Sequence, residues 1–288
     1  MLTFIVNPAA GSGRALKTEA QIRAELERRG IDAEFLHTDA PGHATELARA
    51  AANREDCSGV IAMGGDGTCY EVACGLMITS KPFGIIPAGT GNDFIKTVGI
   101  PKKPLAALEL ILKNAPRPVD VGRMNERLFL NVSGTGFDVT VLDFTLQAKK
   151  YVKGILPYLY GLVRGITHYR PTHMRITADG ETWEQDVLIC SIANGRFFGG
   201  GIPICPDASP DDGCFDLVVV ENKPRWMIPF YLPGLLMGKV LTFPFTMHRR
   251  VRSVRIEAAG MRLNMDGEVF SMDTADYEIL PGALQLFW

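Results

Sequence analysis

Three short glycine-rich loops, each directly after an apolar run, constrain this chain more than any other feature. The first, Asn7-Pro8-Ala9-Ala10-Gly11-Ser12-Gly13-Arg14, follows the apolar residues 2–6. Glycines between a strand and a helix let backbone N–H groups approach an anion at the helix N-terminus. No Gly-Lys-Ser/Thr follows, so the loop is not a Walker A loop. Leu16 stands where a dinucleotide fingerprint needs its third glycine. Alone, this loop reads equally well as an ordinary strand–helix turn. The second, Gly64-Gly65-Asp66-Gly67-Thr68, follows the run 60–63. Three glycines around one aspartate leave room for phosphates. There Asp66 can hold Mg²⁺ or accept a proton, and Thr68 can donate to a phosphate oxygen or cap a helix. The third, Pro87-Ala88-Gly89-Thr90-Gly91-Asn92-Asp93-Phe94, follows the run 83–86 and ends with Asn or Asp opening a helix.

The runs between these loops set the fold class. Strand patterns at 2–7, 31–37, 60–63 and 83–86 alternate with helical patterns at 14–29, 43–53, 68–77 and 104–114, and Gly30 is a helix stop. This order predicts an α/β domain with a parallel sheet covered by helices. All three loops then converge at the carboxyl edge of one sheet, where such folds bind ligands. Three independent accidents are much less expected than one phosphate site.

The rhythm changes near Arg117-Pro118. Short strand patterns follow at 120–124, 127–133, 174–178, 182–192, 215–220, 254–258, 262–265 and 277–280. Asp179-Gly180 is a strong hairpin signal. Helical patterns at 139–154 and 157–169 interrupt them. The reading is a first domain at 1–118 and a mainly antiparallel β-sandwich at 119–288, the last strand being a candidate to return to the first domain.

With 47% apolar residues and a net charge of −2, the chain can bury a real core and is not a dedicated nucleic-acid binder. The six cysteines, Cys57, Cys69, Cys74, Cys190, Cys205 and Cys214, form no C-x-x-C pair. That scatter suits reduced thiols in the cytoplasm. The first residues read as a strand and not as a signal peptide. The stretch 226–245 has the length of a membrane span, but Pro229, Pro233, Pro244 and Lys239 make it a segment of a soluble domain that touches a bilayer at most. The histidines have no metal-ligand spacing. Asp216 reads as a strand-surface residue.

The three loops together resemble the diacylglycerol kinase catalytic domain, in the form found in soluble bacterial lipid kinases. The Gly-Gly-Asp-Gly-Thr and Pro-Ala-Gly-Thr-Gly-Asn-Asp-Phe pair is the specific part, while its first element alone is shared with NAD kinases and related enzymes. Further on, Ala193-Asn194, Gly199-Gly200-Gly201, Pro206-Asp207-Ala208, Asp212-Gly213 and Asp266-Gly267-Glu268 resemble the C-terminal motifs of the family. The resemblance implies an NAD-kinase/diacylglycerol-kinase-like fold that binds ATP between its domains and phosphorylates a lipid hydroxyl. Asn7, Pro8, Ala9, Ala10, Gly11, Thr38, Gly65, Asp66, Gly67, Thr68, Cys69, Tyr70, Glu71 and Thr90 would contact ATP. Glu268 would be the proton acceptor, with Asp66 orienting metal or substrate. Ser209, Asp212 and Cys214 would hold a structural Mg²⁺, and a second Mg²⁺ would travel with ATP. Cys69-Tyr70 departs from the small aliphatic residue and Asn that the family more often has there. From spacing alone, Asp266-Gly267-Glu268 is a hairpin turn.

The basic residues Lys149, Lys150, Lys153, Arg164 and Arg170 surround an apolar run at 155–166, with Tyr151, Tyr158 and Tyr160 interleaved. This pattern fits an interfacial helix meeting anionic headgroups or a core helix with solvated ends. A lipid alcohol substrate tips the reading toward peripheral membrane contact. An edge strand of the second domain could pair in a homodimer. The rival functions are an NAD kinase, against which the third loop argues, and a nucleotide- or lipid-binding module without turnover.

Overall fold

The computed structural model describes residues 1–77, 79–152 and 156–288, without the side chains of Lys149 and Tyr158; Lys153 and Gly154 lie outside the described residues. The chain forms two compact units. One comprises Met1–Val121, Pro210–Asp212 and Leu280–Trp288; the other comprises Gly122–Ser209 and Gly213–Ile279.

In the first unit, β1 (Leu2–Val6), β2 (Ala33–His37), β3 (Gly59–Gly64) and β4 (Phe83–Pro87) alternate with α1 (Arg14–Arg28), α2 (His43–Ala52) and α3 (Asp66–Leu76). The short α4 (Asp93–Val98) and then α5 (Pro104–Lys113) follow. The four strands pair in parallel, in the order β4, β3, β1, β2. Every residue of β3 is buried, as expected of a central parallel strand covered on both faces, while β2 at the edge is half-buried. Register sets the next level. Val6 lies opposite both His37 and Met63, and Gly64 lies opposite Pro87. The chain therefore leaves β1, β2, β3 and β4 at one edge of the sheet, and the three glycine loops leave with it. On the far side of β4 the end of the chain adds a further parallel partner, Leu286 opposite Phe83.

The second unit is antiparallel. The strands are β5 (Arg117–Met124, shared with the first unit), β6 (Arg127–Phe129), β7 (Val132–Gly136), β8 (Thr172–Ala178) and β9 (Glu181–Ala193). They continue with β10 (Phe197–Phe198), β11 (Ile202–Pro203), β12 (Phe215–Glu221), β13 (Thr246–Val251), β14 (Ser253–Met265) and β15 (Glu268–Leu286). Two long strands change partners along their length. β9 pairs with β8 through residues 181–187 and with β7 through 189–193. β14 pairs with β8 and then β7, and its register with β15 shifts between Glu257 and Met261 around the left-handed Gly260. A bulge of this kind bends a strand from one sheet toward another. β12 shows both faces of the sheet. Phe215, Leu217 and Val219 pack in one apolar core, and Val218 and Val220 pack in a second.

Several expectations are corrected. The run 127–133 is two strands, because the N–H groups of Leu130 and Asn131 turn away from a ladder to the Asp266 carboxylate at 2.7 and 3.1 Å. The runs 254–258 and 262–265 are one bulged strand. β13, rich in Arg and His, has no apolar alternation and escaped the strand pattern. Asp216 is not on the surface; it is 2% exposed. The stretch 226–245 folds as a 3-10 turn, α8 (Ile228–Leu236) with Pro233 inside it, and a second 3-10 turn. Among the described residues no helix is long and apolar enough to cross a membrane.

Two helices, α6 (Phe137–Lys149) and α7 (Leu156–His168), follow β7. Asp138 in the first turn of α6 is buried, and its Oδ1 meets no hydrogen-bond partner among the described residues. Burial pushes its carboxyl up to about 7 from an ordinary 3.8. The folded chain thus keeps a proton that the unfolded chain releases, so this group's contribution to stability falls as pH rises between those values. The stability of wild type minus that of Asp138→Asn should fall by about 1.4 kcal/mol per pH unit from about pH 4 to about pH 7, then level off. Urea unfolding across that range checks it, and a difference independent of pH contradicts it.

Candidate functional site

The glycine loops of the first unit enclose a cavity of about 590 Å³. That is the size of a small-molecule or nucleotide site. Asn7 to Gly11, Thr38, Gly65 to Thr68, Glu71 and Thr90 line it, joined by Asp39, Ala44, Gly89 and Gly91. Cys69 and Tyr70 do not. Cys69 is buried within α3, where burial and then the Asp66 charge push its thiol up.

The loops are tied together by their own backbones. The Asn7 N–H donates to Met63 O at 3.1 Å, and the Asn7 side chain donates from Nδ2 to Thr68 Oγ1 at 3.2 Å. The N–H groups of Ala88 and Gly89 both donate to Gly64 O, at 2.8 and 2.9 Å. This proximity requires glycine. A Cβ on Gly89 would lie 2.4 Å from the Gly65 Cα, and one on Gly11 would lie 2.1 Å from Ala88 O. A Cβ on Gly67 would meet nothing within 4 Å, which leaves that face of the second loop open to a ligand.

Asp66 has a job that the sequence pattern did not suggest. Its carboxylate accepts the N–H groups of Asn92, Asp93 and Phe94 at 2.6, 2.7 and 3.4 Å. It therefore caps α4 from a different helix, and the third loop is held against the second through it. A Cβ on Gly91 would sit 2.7 Å from Asp66 Oδ2, so the glycine makes the grip possible. Burial, and next the neighbouring Asp93 charge, raise the Asp66 carboxyl above the ordinary carboxylate range, against the opposing pull of the three N–H donors. Both oxygens face backbone donors. Three of the acceptor sites of the carboxylate are thus taken by backbone, and Asp66 still lines the cavity.

Glu71 and Arg14 complete this side. Glu71 Oε2 accepts the Ala44 N–H at 3.1 Å, and the Glu71 carbonyl accepts Thr45 Oγ1 at 2.9 Å. Arg14 donates from Nε to Gly11 O at 3.3 Å and from Nη2 to Gly89 O at 3.4 Å, bridging the first and third loops. Arg14 was not among the expected site residues. Its signal was a cation at the first position of the helix after the glycines.

In the second unit Glu268 is exposed and opens β15 opposite Met265. Asp266 (φ 48°) and Gly267 (φ 98°) form the tight turn before it. The Asp266 carboxylate accepts the N–H groups of Leu130, Asn131 and Val132, the last at 3.0 Å, and Asn264 Oδ1 accepts the Gly267 N–H at 3.0 Å. The hairpin is thus both a turn and a fixed mount for one exposed carboxylate. Ser209, Asp212 and Cys214 lie on the segment before β12.

Replacing Asp66 by Ala should destabilise the chain by about 2–3 kcal/mol, because three N–H donors lose a charged acceptor. It should also weaken ATP binding at least tenfold. Chemical denaturation and nucleotide titration check this; wild-type stability with lost nucleotide binding would show that Asp66 acts on the ligand and not on the loops.

The family profile for the diacylglycerol kinase catalytic domain matches residues 1–124, and that for the YegS C-terminal NAD kinase beta sandwich-like domain matches residues 131–288. A diacylglycerol kinase of Mycobacterium tuberculosis is 31% identical over 293 residues, covering 99% of this chain and 94% of that protein. A diacylglycerol kinase of Bacillus subtilis is 31% identical over 274 residues, covering 93% and 90%. A crystal structure of a diacylglycerol kinase from Bacillus anthracis superposes with a TM-score of 0.74 at 25% identity, covering 100% of this chain and 96% of that one. The chain belongs to the diacylglycerol kinase catalytic-domain family.

Proposed function

We propose that this member of the diacylglycerol kinase family is an ATP-dependent lipid kinase that phosphorylates the hydroxyl of a lipid alcohol such as diacylglycerol. The observation that carries the reading is the cavity formed by the three glycine loops, whose backbones approach so closely that side chains are excluded. Bound ATP supplies the phosphoryl group, and Mg²⁺ neutralises its charge. Around it the backbone N–H groups of the loops orient the phosphates, Thr38, Thr68 and Thr90 offer hydroxyls, and Arg14 adds a cation. Asp66 is a positioning residue that keeps the third loop in place. Glu268 takes the proton of the lipid hydroxyl as it attacks. Ser209, Asp212 and Cys214 are the candidates for a separate Mg²⁺ site.

The test is ATP-dependent phosphate transfer with Mg²⁺ to a panel of lipid alcohols in mixed micelles, with NAD as the control acceptor. One phosphorylated lipid supports the reading and names the substrate. Phosphorylation of NAD alone makes the chain an NAD kinase, and nucleotide binding without any transfer makes it a binding module. In the same assay Glu268→Gln should lower kcat by about 10²–10⁴-fold with the KM for ATP unchanged. Near-normal turnover would remove Glu268 from the mechanism.

The reading includes peripheral contact with an anionic bilayer through the second unit. Leu156, Leu159, Tyr160 and Val163 are exposed at helical spacing along α7, and Trp226 just before α8 and Phe230 within it are exposed too. Arg225 donates to Thr167 O at 3.1 Å and joins the two segments. Residues 144–178 and 222–256 contain no Asp or Glu, but carry Lys150, Arg164, Arg170, Lys223, Arg225 and other bases. Cosedimentation with phosphatidylglycerol vesicles should be strong at low salt and weaken at high salt. Equal binding to neutral vesicles would contradict the electrostatic part.

A further inference from the structure

Three side chains in the second unit come together without any spacing that would announce them. Cys205 is fully buried, Asp216 is 2% exposed, and the His248 side chain is 28% exposed. Asp216 lies on the face of β12 that carries Val218 and Val220, and these valines pack in the same core as Ile204, Cys205 and Ala208. His248 lies on the neighbouring strand β13, opposite Val218, one diagonal step from Asp216. Its Nε2 is 2.6 Å from Asp216 Oδ1. The thiol of Cys205 also hydrogen-bonds Asp216. One ligating atom from each residue lies within 4.8 Å of the other two.

This chemistry excludes a reactive cysteine. Burial, and next the Asp216 charge, push the Cys205 thiol up, so the thiolate that a nucleophile needs is disfavoured. A divalent cation reverses that balance. With a thiolate, a carboxylate and a neutral imidazole around it, a 2+ ion makes the buried group electrically neutral. The thiol proton leaves to solvent. The proton that His248 Nε2 presents to Asp216 leaves that nitrogen, the neutral ring carries its one proton on Nδ1, and the Nε2 lone pair turns to the metal. The mixed sulfur, nitrogen and oxygen set selects zinc over magnesium or calcium, which take oxygen ligands. Metal–ligand bonds of about 2.0–2.3 Å need ligand separations of about 3.3–3.8 Å. The 2.6 Å pair opens by about 0.7 Å and no pair, all being within 4.8 Å, has to close by more than about 1.5 Å, within reach of side-chain rotation. The exposed edge of His248 leaves the fourth position to water.

We propose that Cys205 Sγ, Asp216 Oδ and His248 Nε2 form a zinc site that fastens the edge strand β13 and the segment through Cys205 onto β12. The test uses the purified full chain, reduced and stripped of metal, titrated with Co²⁺ as a spectroscopic probe and then with Zn²⁺. One equivalent of Co²⁺ should produce thiolate-to-cobalt charge-transfer absorption, which Zn²⁺ displaces. Zinc should raise the melting temperature. Cys205→Ser should abolish the absorption, and the more accessible His248→Ala should weaken Co²⁺ binding at least tenfold while leaving a folded chain. No thiolate absorption in the folded wild type overturns the proposal. So does absorption that persists undiminished in Cys205→Ser, or Co²⁺ affinity that is unchanged in His248→Ala.

Discussion

The first unit depends on one close approach. The second and third glycine loops come together so tightly that the Gly65 and Gly89 backbones leave no room for a side chain at Gly89. The Asp66 carboxylate holds the approach by accepting three N–H groups from the first turn of α4. Those donors are the ones a short helix cannot satisfy internally. A half-buried acceptor from another helix therefore stabilises α4 and shapes the cavity in one contact. The parallel register of β1, β3 and β4 delivers the loops to the same edge, and the carboxylate sets how they meet.

The second unit uses the same device. Asp266 accepts three consecutive N–H groups, from Leu130 to Val132, and so fixes the turn that carries Glu268. In both places one aspartate gives its oxygens to the backbone, while its neighbours remain available for chemistry. The division of labour is physical: N–H donors lock one carboxylate onto the backbone, and an exposed carboxylate on the turn so fixed is free to take a proton.

What could be read from the residues alone follows from range. The alternation of strands and helices, the convergence of the glycine loops and the hairpin at Asp179-Gly180 are short-range patterns. Each has a local cause, and the fold contains them. The grip of Asp66 on the third loop was not legible because its partners are 26 to 28 residues away and are backbone groups, which no residue type advertises. Asp216 read as a surface residue because a lone acid in an apolar strand usually faces water. Its partners Cys205 and His248 come from separate segments that meet only in the fold. Cys69 and Tyr70 were included by their place in a motif, yet one turn of α3 carries them off the cavity wall.

The central claim is that the three loops act together as one nucleotide site. Hydrogen–deuterium exchange of the full chain with and without ATP and Mg²⁺ tests it directly. The account predicts that ATP slows exchange together in residues 7–14, 64–68 and 88–94. Protection of only one loop, or of none while ATP remains bound, would contradict it.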